Sequence, residues 1–430
     1  MERKPARRLI GLLIIVAVMG AALFLVRHQP AQRDPGTGTQ LPWPLRGLLF
    51  SPPTDEAAAS DGATVALAPD PITVDVCGVG RLVIKEPNDV PVELRRQFQR
   101  MEALTRAIVE LGAKAEPSDR AIALRFEALL AAQRATSAVV AGSRDCENNE
   151  QCMAAAEQIG EQAGAPFLQA LAQLADENRD PVALVLAYNV CRKPSQSHPQ
   201  PCDRLTATRW TELDPDNGAA WMELANEAAR RNDEAVRAQA MARAAAATHF
   251  NLYMEQLFRP LDNAGLRDAG PVERLAAQLL VTGVVAAVPL SYQETTRYCD
   301  NKVLGDPQRR TQCDRLATLL VETDTTLIGH SIGTHLGELV GWPAERIAAL
   351  KEEHDAINAA ASSDMQPQDF LTCESLQFAE QRSADMLRYG EHGSFQRAIE
   401  RSGRSRQDLA REWRERVRRA GEDDPRSQQK

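Results

Sequence analysis

The hydrophobic pattern of the chain begins with an uninterrupted apolar run of 18 residues, Leu9–Val26. A helix rises about 1.5 Å per residue, so this run is just long enough to cross a bilayer core of about 30 Å. Four basic side chains precede the run: Arg3, Lys4, Arg7 and Arg8. Because such a flank remains in the cytoplasm, the pattern predicts a cytoplasmic segment at 1–8, a single-pass signal anchor at 9–26 and export of the rest.

A cleaved secretory signal is the alternative for the same run. The apolar core of a signal sequence usually spans about 7–15 residues and leads to a small-residue cleavage site. The run found here is longer, and Leu25-Val26-Arg27-His28 contains no Ala-x-Ala-like site. We therefore predict that the anchor is retained.

Two segments separate the anchor from the rest of the chain. Residues 27–71 are rich in proline, glycine, serine and alanine, a composition typical of a disordered linker. Within 72–91, the stretch ITVDVCGVGRLVI alternates briefly around Gly78 and Gly80, which predicts a short hairpin or an extended segment. Its Gly-x-Gly lacks the third glycine of a dinucleotide-binding loop, so a tight turn is the better interpretation.

From Val92 onward, apolar residues recur at three- and four-residue steps, the spacing of one face of an α-helix. The first helix is predicted to end at Gly112, and Ser118 is predicted to cap the next. Further amphipathic segments follow at 151–175, 181–192, 202–213, 217–231, 234–248, 251–262, 271–288, 313–341, 343–361, 367–389 and 394–419.

Composition also favours helix over sheet, because only 5% of the residues are aromatic while alanine, leucine, glutamate and arginine are abundant. The predicted fold class is therefore all-α. We expect a first helical lobe at 92–265, a second lobe at 266–420 and a disordered tail at 421–430. The net charge of −9 gives no basic footprint for nucleic acid.

Residues 181–247 contain a recognisable helical pattern. The junction LDPDNGAAW, Leu213–Trp221, is followed at helical steps by Leu224, Ala225 and Ala228, and then by the turn Asn232-Asp233. Beyond this turn the pattern continues through three alanines if one residue is inserted: Ala238, Ala242 and Ala245. The stretch resembles tetratricopeptide (TPR) repeats, in which Asp-Pro-Asp closes one helical hairpin and an aromatic residue opens the next.

This resemblance implies a TPR-like, α-solenoid-like stack of antiparallel helical hairpins with a concave surface that binds other proteins. Small residues at these steps let two helices approach closely, and we expect Trp221 to fill the groove against the next hairpin. A generic α-hairpin with a common Asp-Pro turn is the alternative. The resemblance carries over no binding residues.

The chain has eight cysteines, and an even number in an exported protein favours disulfides. Asn-x-Ser/Thr, the acceptor sequence for N-glycosylation, does not occur. The cysteines indicate an oxidising compartment, and the missing acceptor sequence favours the bacterial periplasm over a eukaryotic secretory lumen, with the anchor in the inner membrane.

Spacing along the chain predicts the disulfide map. Cys146 and Cys152 flank a turn-rich loop, and pairing requires the helix to break there. The motif Cys-Asp-Arg-Leu occurs twice, at 202–205 and 313–316, each time preceded by another cysteine. We therefore expect the pairs Cys191–Cys202 and Cys299–Cys313, and by elimination Cys77–Cys373.

The main candidate for catalysis is Gly329-His330-Ser331-Ile332-Gly333, which matches the Gly-x-Ser-x-Gly nucleophile elbow of α/β-hydrolases. Four acids and two bases follow it that could complete a triad: Asp355, Asp364, Asp369 and Asp385, with His354 or His392. That elbow lies between a strand and a helix, whereas 316–340 has the pattern of one long helix. We therefore predict no catalysis and keep a serine hydrolase as the alternative.

Metal ligands and cofactors are not predicted. His330 and His335 are five residues apart and so project about 140° from each other on a helix, while His335 and Glu338 supply only two ligands. The cysteines lack a close Cys-x-x-Cys pair. The arginine-rich helix at 394–419 is interpreted as a solvated face rather than a site for anionic lipid. The sequence thus predicts a membrane-anchored periplasmic scaffold that binds a protein partner.

Overall fold

The structure is a computed structural model. It describes residues 72–84, 101–142, 149–192, 201–286, 292–300, 304–361 and 371–422, together with positions 91, 94, 97, 146, 288 and 302. Among these residues no helix is both long and apolar enough to cross a membrane. The predicted anchor at 9–26 and the linker at 27–71 lie outside the described residues, as does the predicted tail at 421–430 except for its first two residues, which end the last helix.

The described residues are all-α apart from one hairpin, whose strands are β1 (Ile72–Val76) and β2 (Gly80–Ile84). Short 3-10 turns occur at Cys202–Arg204 and Met254–Asp262. In chain order the helices are α1 (Glu102–Gly112), α2 (Pro117–Ala141), α3 (Glu150–Glu177), α4 (Pro181–Cys191), α5 (Ala207–Leu213), α6 (Gly218–Arg230), α7 (Glu234–Ala244), α8 (Ala264–Arg267), α9 (Pro271–Ala286), α10 (Gln293–Tyr298), α11 (Pro307–Thr323), α12 (Leu327–Val340), α13 (Ala344–Ala361), α14 (Cys373–Ser402) and α15 (Arg406–Glu422).

Residue contacts divide the chain into two units, each built from three stretches of sequence. The first unit contains the described residues within 1–171, 259–287 and 364–381. The second contains those within 172–258, 288–363 and 382–430. The sequence-based division into consecutive lobes at 92–265 and 266–420 stays a prediction.

In the first unit, β1 and β2 pair antiparallel with Ile72 opposite Ile84. Val74 and Val76 are buried while Thr73 and Asp75 are exposed, as the two-residue period of a half-buried strand requires. The buried face packs on Leu275 of α9 and Leu376 of α14. Of the two predicted forms, a short hairpin or an extended segment, the chain adopts the hairpin at 72–84.

Helices α1 and α2 follow in the first unit, and α1 ends at Gly112 as predicted. Two details differ from the prediction. Leu94 and Gln97 are helical, but Met101 takes a positive φ of 24°, so α1 begins as a separate helix at Glu102. Helix α2 begins at Pro117 after Glu116, so Ser118 lies buried in the first turn instead of capping it.

In the second unit, consecutive helices α4 to α7 pack on one another, and the Asp-Pro junction between α5 and α6 is tied down by Asn217. Its side chain accepts from the N–H of Ala219 and donates to the carbonyl of Asn251 at 2.9 Å. Trp221, expected to fill a groove, is only half-buried and donates to the carbonyl of Pro215 at 2.7 Å. Among the tryptophans that the structure describes, Trp210, only 1% exposed, is the one buried in the core.

Two predicted helices of the second unit are interrupted. The helix expected at 202–213 is a 3-10 turn followed by α5, which Thr206 caps. The single helix expected at 316–340 is divided into α11 and α12. Thr326 caps α12, and the buried Asp324 accepts from the N–H of Thr326 and the hydroxyl of Tyr292, both at 2.8 Å.

Four disulfides connect the cysteines: Cys77–Cys373, Cys146–Cys152, Cys191–Cys202 and Cys299–Cys313. These are the same four pairs as in the map expected from the sequence. In the first unit, Cys77–Cys373 ties the tip of the hairpin to the start of α14, and the N–H of Cys77 donates to the carbonyl of Leu371 at 2.8 Å.

Candidate functional site

A groove of about 350 Å³ lies beside the Cys191–Cys202 disulfide in the second unit, and we call it the Tyr188 groove. Its volume is at the lower end of the range of about 300–1,000 Å³ that is usual for ligand sites. The lining residues are Tyr188, Cys191, Arg192, Cys202, Asp203, Leu205, Thr206, Glu227, Arg230 and Arg231.

A buried polar network supports this groove from below. Arg192, the residue that follows α4, forms an ion pair of 2.7 Å with Glu223 of α6, whose side chain is buried. Burial raises the pKa of Glu223, and the guanidinium of Arg192 opposes that rise. The hydroxyl of Tyr188 donates to Glu227 at 2.8 Å. These charge-assisted hydrogen bonds join the end of α4 to α6. Separating the two helices would leave the buried Glu223 carboxylate without its partner, so the shape of the groove is fixed.

The rim of the Tyr188 groove carries two exposed guanidinium groups. Arg231 contacts Glu227 at 3.6 Å and is 57% exposed. Arg230 is also exposed, and within the described part of the chain no carboxylate lies within 4.0 Å of its guanidinium. The rim can therefore accept a carboxylate from outside, which a planar guanidinium binds through two parallel hydrogen bonds.

A second cluster of functional groups lies elsewhere in the second unit, and we call it the histidine cluster. It contains His330 of α12, Glu353 of α13 and His392 of α14, whose ligand atoms lie within 4.8 Å of one another. The two imidazole rings are stacked, with centroids 4.3 Å apart and planes inclined by 20°. His392 Nε2 lies 3.6 Å from a carboxylate oxygen of Glu353.

Backbone geometry brings these three side chains together. The interruption between α11 and α12 directs His330 inward, where it is 2% exposed. Gly390 has a φ of 72° and a ψ of −177°, a combination that is essentially restricted to glycine, and it kinks α14 two residues before His392. An added Cβ at Gly390 would lie 2.5 Å from Thr325 Cβ, so the close approach also requires glycine.

Electrostatics keeps the imidazoles neutral near pH 7. Burial, with a smaller effect of His392, lowers the pKa of His330 to about 4. Burial likewise lowers the pKa of His392, against the opposing carboxylate of Glu353. The neighbouring His354, hydrogen-bonded to Asn358 at 3.1 Å, also has its pKa lowered by burial. Neutral imidazoles retain a lone pair for a metal ion or a proton.

The predicted hydrolase motif has a different structural context from a nucleophile elbow. Gly329, Ser331 and Gly333 all lie inside α12, and the strands found among the described residues belong to the hairpin at 72–84. Ser331 is exposed, whereas the neighbouring His330 points into the core. Gly333 is a packing residue, because an added Cβ would lie 2.9 Å from Leu320 Cβ of α11.

The other candidate triad residues are engaged separately. Asp355 pairs with Arg414 at 3.4 Å, and Asp385 pairs with Arg401 at 2.5 Å. Asp364 and Asp369 lie outside the described residues. His335 is exposed and lies 3.8 Å from Glu338, so this pair remains a surface contact.

Sequence reasoning missed the histidine cluster because its members are 23 and 39 residues apart on three helices. No local motif has that spacing. The one available signal was His330 itself, a polar residue on the apolar face of a helix. Comparison of the chain with family models, curated proteins and solved structures found no match.

Proposed function

We propose that this chain is a membrane-anchored periplasmic helical-repeat protein that acts as a binding or assembly scaffold without catalysis. In this proposal the Tyr188 groove holds an acidic segment of a partner protein. The observation that carries it is the exposed Arg230 and Arg231 at the rim of a groove whose floor is fixed.

The packing of α4 to α7 supports a TPR-like arrangement. Each of these helices packs on the next in the sequence, and the turn between α6 and α7 has Asn232 at a φ of 57° and Asp233 as the cap of α7. Consecutive hairpins of this kind stack and leave an elongated surface for a partner segment. The Cys191–Cys202 disulfide joins the end of α4 to the following turn, which limits changes in the groove.

The charge of the groove supports an acidic partner. The protein as a whole has a net charge of −9, so its net charge does not attract an acidic segment. Arg230 and Arg231 place two positive charges at this rim, and charge complementarity of this kind gives specificity as well as a faster association rate.

Peptide selection on the detergent-solubilised full-length protein tests this role. We expect a displayed random-peptide library to enrich sequences rich in Asp and Glu on the native protein, and this enrichment to be lost in the double variant Arg230→Glu, Arg231→Glu. Arg315→Glu, at an exposed position of α11, is the matched control and should select the same peptides as the native protein. Enrichment without an acidic bias, or one that survives the double charge reversal, contradicts the proposal.

The periplasmic location rests on the apolar run at 9–26 and on four disulfides, which persist in oxidising compartments. A reporter enzyme that is active only after export, fused after residue 60, should be active, and the mature protein should begin near Met1. A mature N-terminus beyond Val26 contradicts the retained anchor, and an inactive reporter contradicts the location.

A further inference from the structure

We propose that the histidine cluster binds one divalent transition-metal ion through His330, Glu353 and His392, and that zinc is the ion it suits best. This site shares no residue with the Tyr188 groove, so it stands or falls independently of the proposed scaffold function. Two imidazoles with one carboxylate form a ligand set that zinc uses in proteins, leaving a fourth position for water or another ligand.

The distances are compatible with a single ion. Atoms that bind zinc tetrahedrally at about 2.0–2.2 Å are about 3.4 Å from each other. The three ligand atoms already lie within 4.8 Å of one another, so modest side-chain rotation brings them to this separation. The side chains of Glu353 and His392 are 14% and 16% exposed, which gives an ion a route from solvent to the cluster.

A second observation that supports a metal ion is a buried nitrogen of His392, Nε2, which has no hydrogen-bond partner among the described residues. Buried polar atoms are normally satisfied, and one that is not requires an explanation such as an ion. A metal ion at the cluster supplies the missing partner of this nitrogen. It also places a second cation, besides Arg406, next to the Glu353 carboxylate.

The surroundings of Glu353 show which groups orient and which groups oppose metal binding. Gln396 donates to Glu353 Oε1 at 2.6 Å, the kind of outer contact that fixes the direction of a ligand. Arg406 lies 3.7 Å from the same oxygen and is 52% exposed. Its guanidinium competes with a metal for the carboxylate but can turn outward, whereas His354, the other titratable neighbour, is held by Asn358.

The disulfides simplify the test, because all eight cysteines are paired and thiolates do not compete for zinc. We would titrate Zn²⁺ into chelator-treated full-length protein without a histidine tag and follow heat and thermal stability. The expected result is one saturable equivalent with a rise in the unfolding temperature of the native protein. No saturable binding overturns the proposal.

Conservative variants locate the ion. His392→Gln and Glu353→Gln each remove one ligand and should weaken Zn²⁺ binding by at least about tenfold. His335→Ala removes an exposed histidine from the same helix as His330 and should leave the affinity unchanged. If His392→Gln and Glu353→Gln bind Zn²⁺ as tightly as the native protein, or if His335→Ala loses binding, the ion lies elsewhere and the assignment is overturned.

A variant outside the ligand set keeps the test decisive if the ligand variants do not fold. Arg406→Gln retains His330, Glu353 and His392 and changes a half-exposed side chain, so folding should be unaffected. Removing the competing cation should tighten Zn²⁺ binding several-fold. An unchanged or weaker affinity in this folded variant means that the ion does not contact Glu353 and overturns the site.

Discussion

The backbone N–H of His392 donates a hydrogen bond of 2.9 Å to the carbonyl oxygen of Thr325. Thr325 lies between α11 and α12, immediately before the cap of the helix that carries His330. The same segment is contacted by the kink of α14 at Gly390. One interruption in each of two helices therefore fixes the position of the two imidazoles relative to each other.

This relationship makes position 390 one at which the local geometry does not tolerate replacement of glycine. Gly390→Ala places a side chain in a backbone conformation that costs about 1–3 kcal/mol, and its Cβ meets Thr325. We expect chemical denaturation to show a loss of stability of at least that size. Gly305→Ala, where an added Cβ has nothing within 4 Å, is the control and should be close to neutral. Equal midpoints for the two variants contradict the described kink.

Asp324 should make folding pH-dependent. Burial raises its pKa to about 7 in the folded protein, whereas an unfolded aspartate has a pKa of about 3.9. Between these values the folded state holds a proton that the unfolded state has lost, so this group's contribution to stability falls as pH rises through 7.

Asp324→Asn removes that titration and keeps one acceptor oxygen for the N–H of Thr326, while the NH2 group that replaces the second oxygen can donate to the hydroxyl oxygen of Tyr292. We expect the difference in unfolding temperature between pH 5 and pH 8 to be smaller in Asp324→Asn than in the native protein. Asp306→Asn, at the exposed cap of α11, should retain the native difference. An identical pH dependence in all three proteins contradicts the raised pKa.

The Cys77–Cys373 disulfide should stabilise more than the local one. It spans 296 residues, and the chain-entropy model assigns such a loop at most about 5–6 kcal/mol. Cys146–Cys152 spans 6 residues and is assigned about 2 kcal/mol by the same model. Paired Cys→Ser variants compared by thermal unfolding should follow this order.

The hairpin at 72–84 provides a second measurement for the long-range disulfide. Its amides should exchange faster with solvent in the Cys77→Ser, Cys373→Ser variant, because the covalent tie to α14 is gone. Unchanged exchange there, or a larger loss of stability from the 146–152 pair, contradicts the expected order.

Ser331 should be dispensable for stability and should not act as a nucleophile. It is exposed on α12, so Ser331→Ala should change stability by less than about 1 kcal/mol. A fluorophosphonate probe for activated serines should not label the native protein. Labelling that disappears in Ser331→Ala supports a serine hydrolase and contradicts the scaffold proposal.

The sequence by itself determined the all-α class and the start and end of many helices. These features are local: the hydrophobic period selects the helix, and residues such as Gly112, Asn217 and Asp233 act within a few positions. Spacing and elimination also led to the disulfide pairs that the structure contains, because a short loop between helix ends leaves few partners for each cysteine.

Only the tertiary structure decided where helices break and which distant residues meet. Thr323 and Leu327 continue one apolar pattern, yet α11 and α12 separate there because buried Asp324 and Thr326 satisfy the helix ends. The kink at Gly390 depends on close contact with Thr325. His330, Glu353 and His392 therefore meet through packing of three helices, which no local spacing in the sequence encodes.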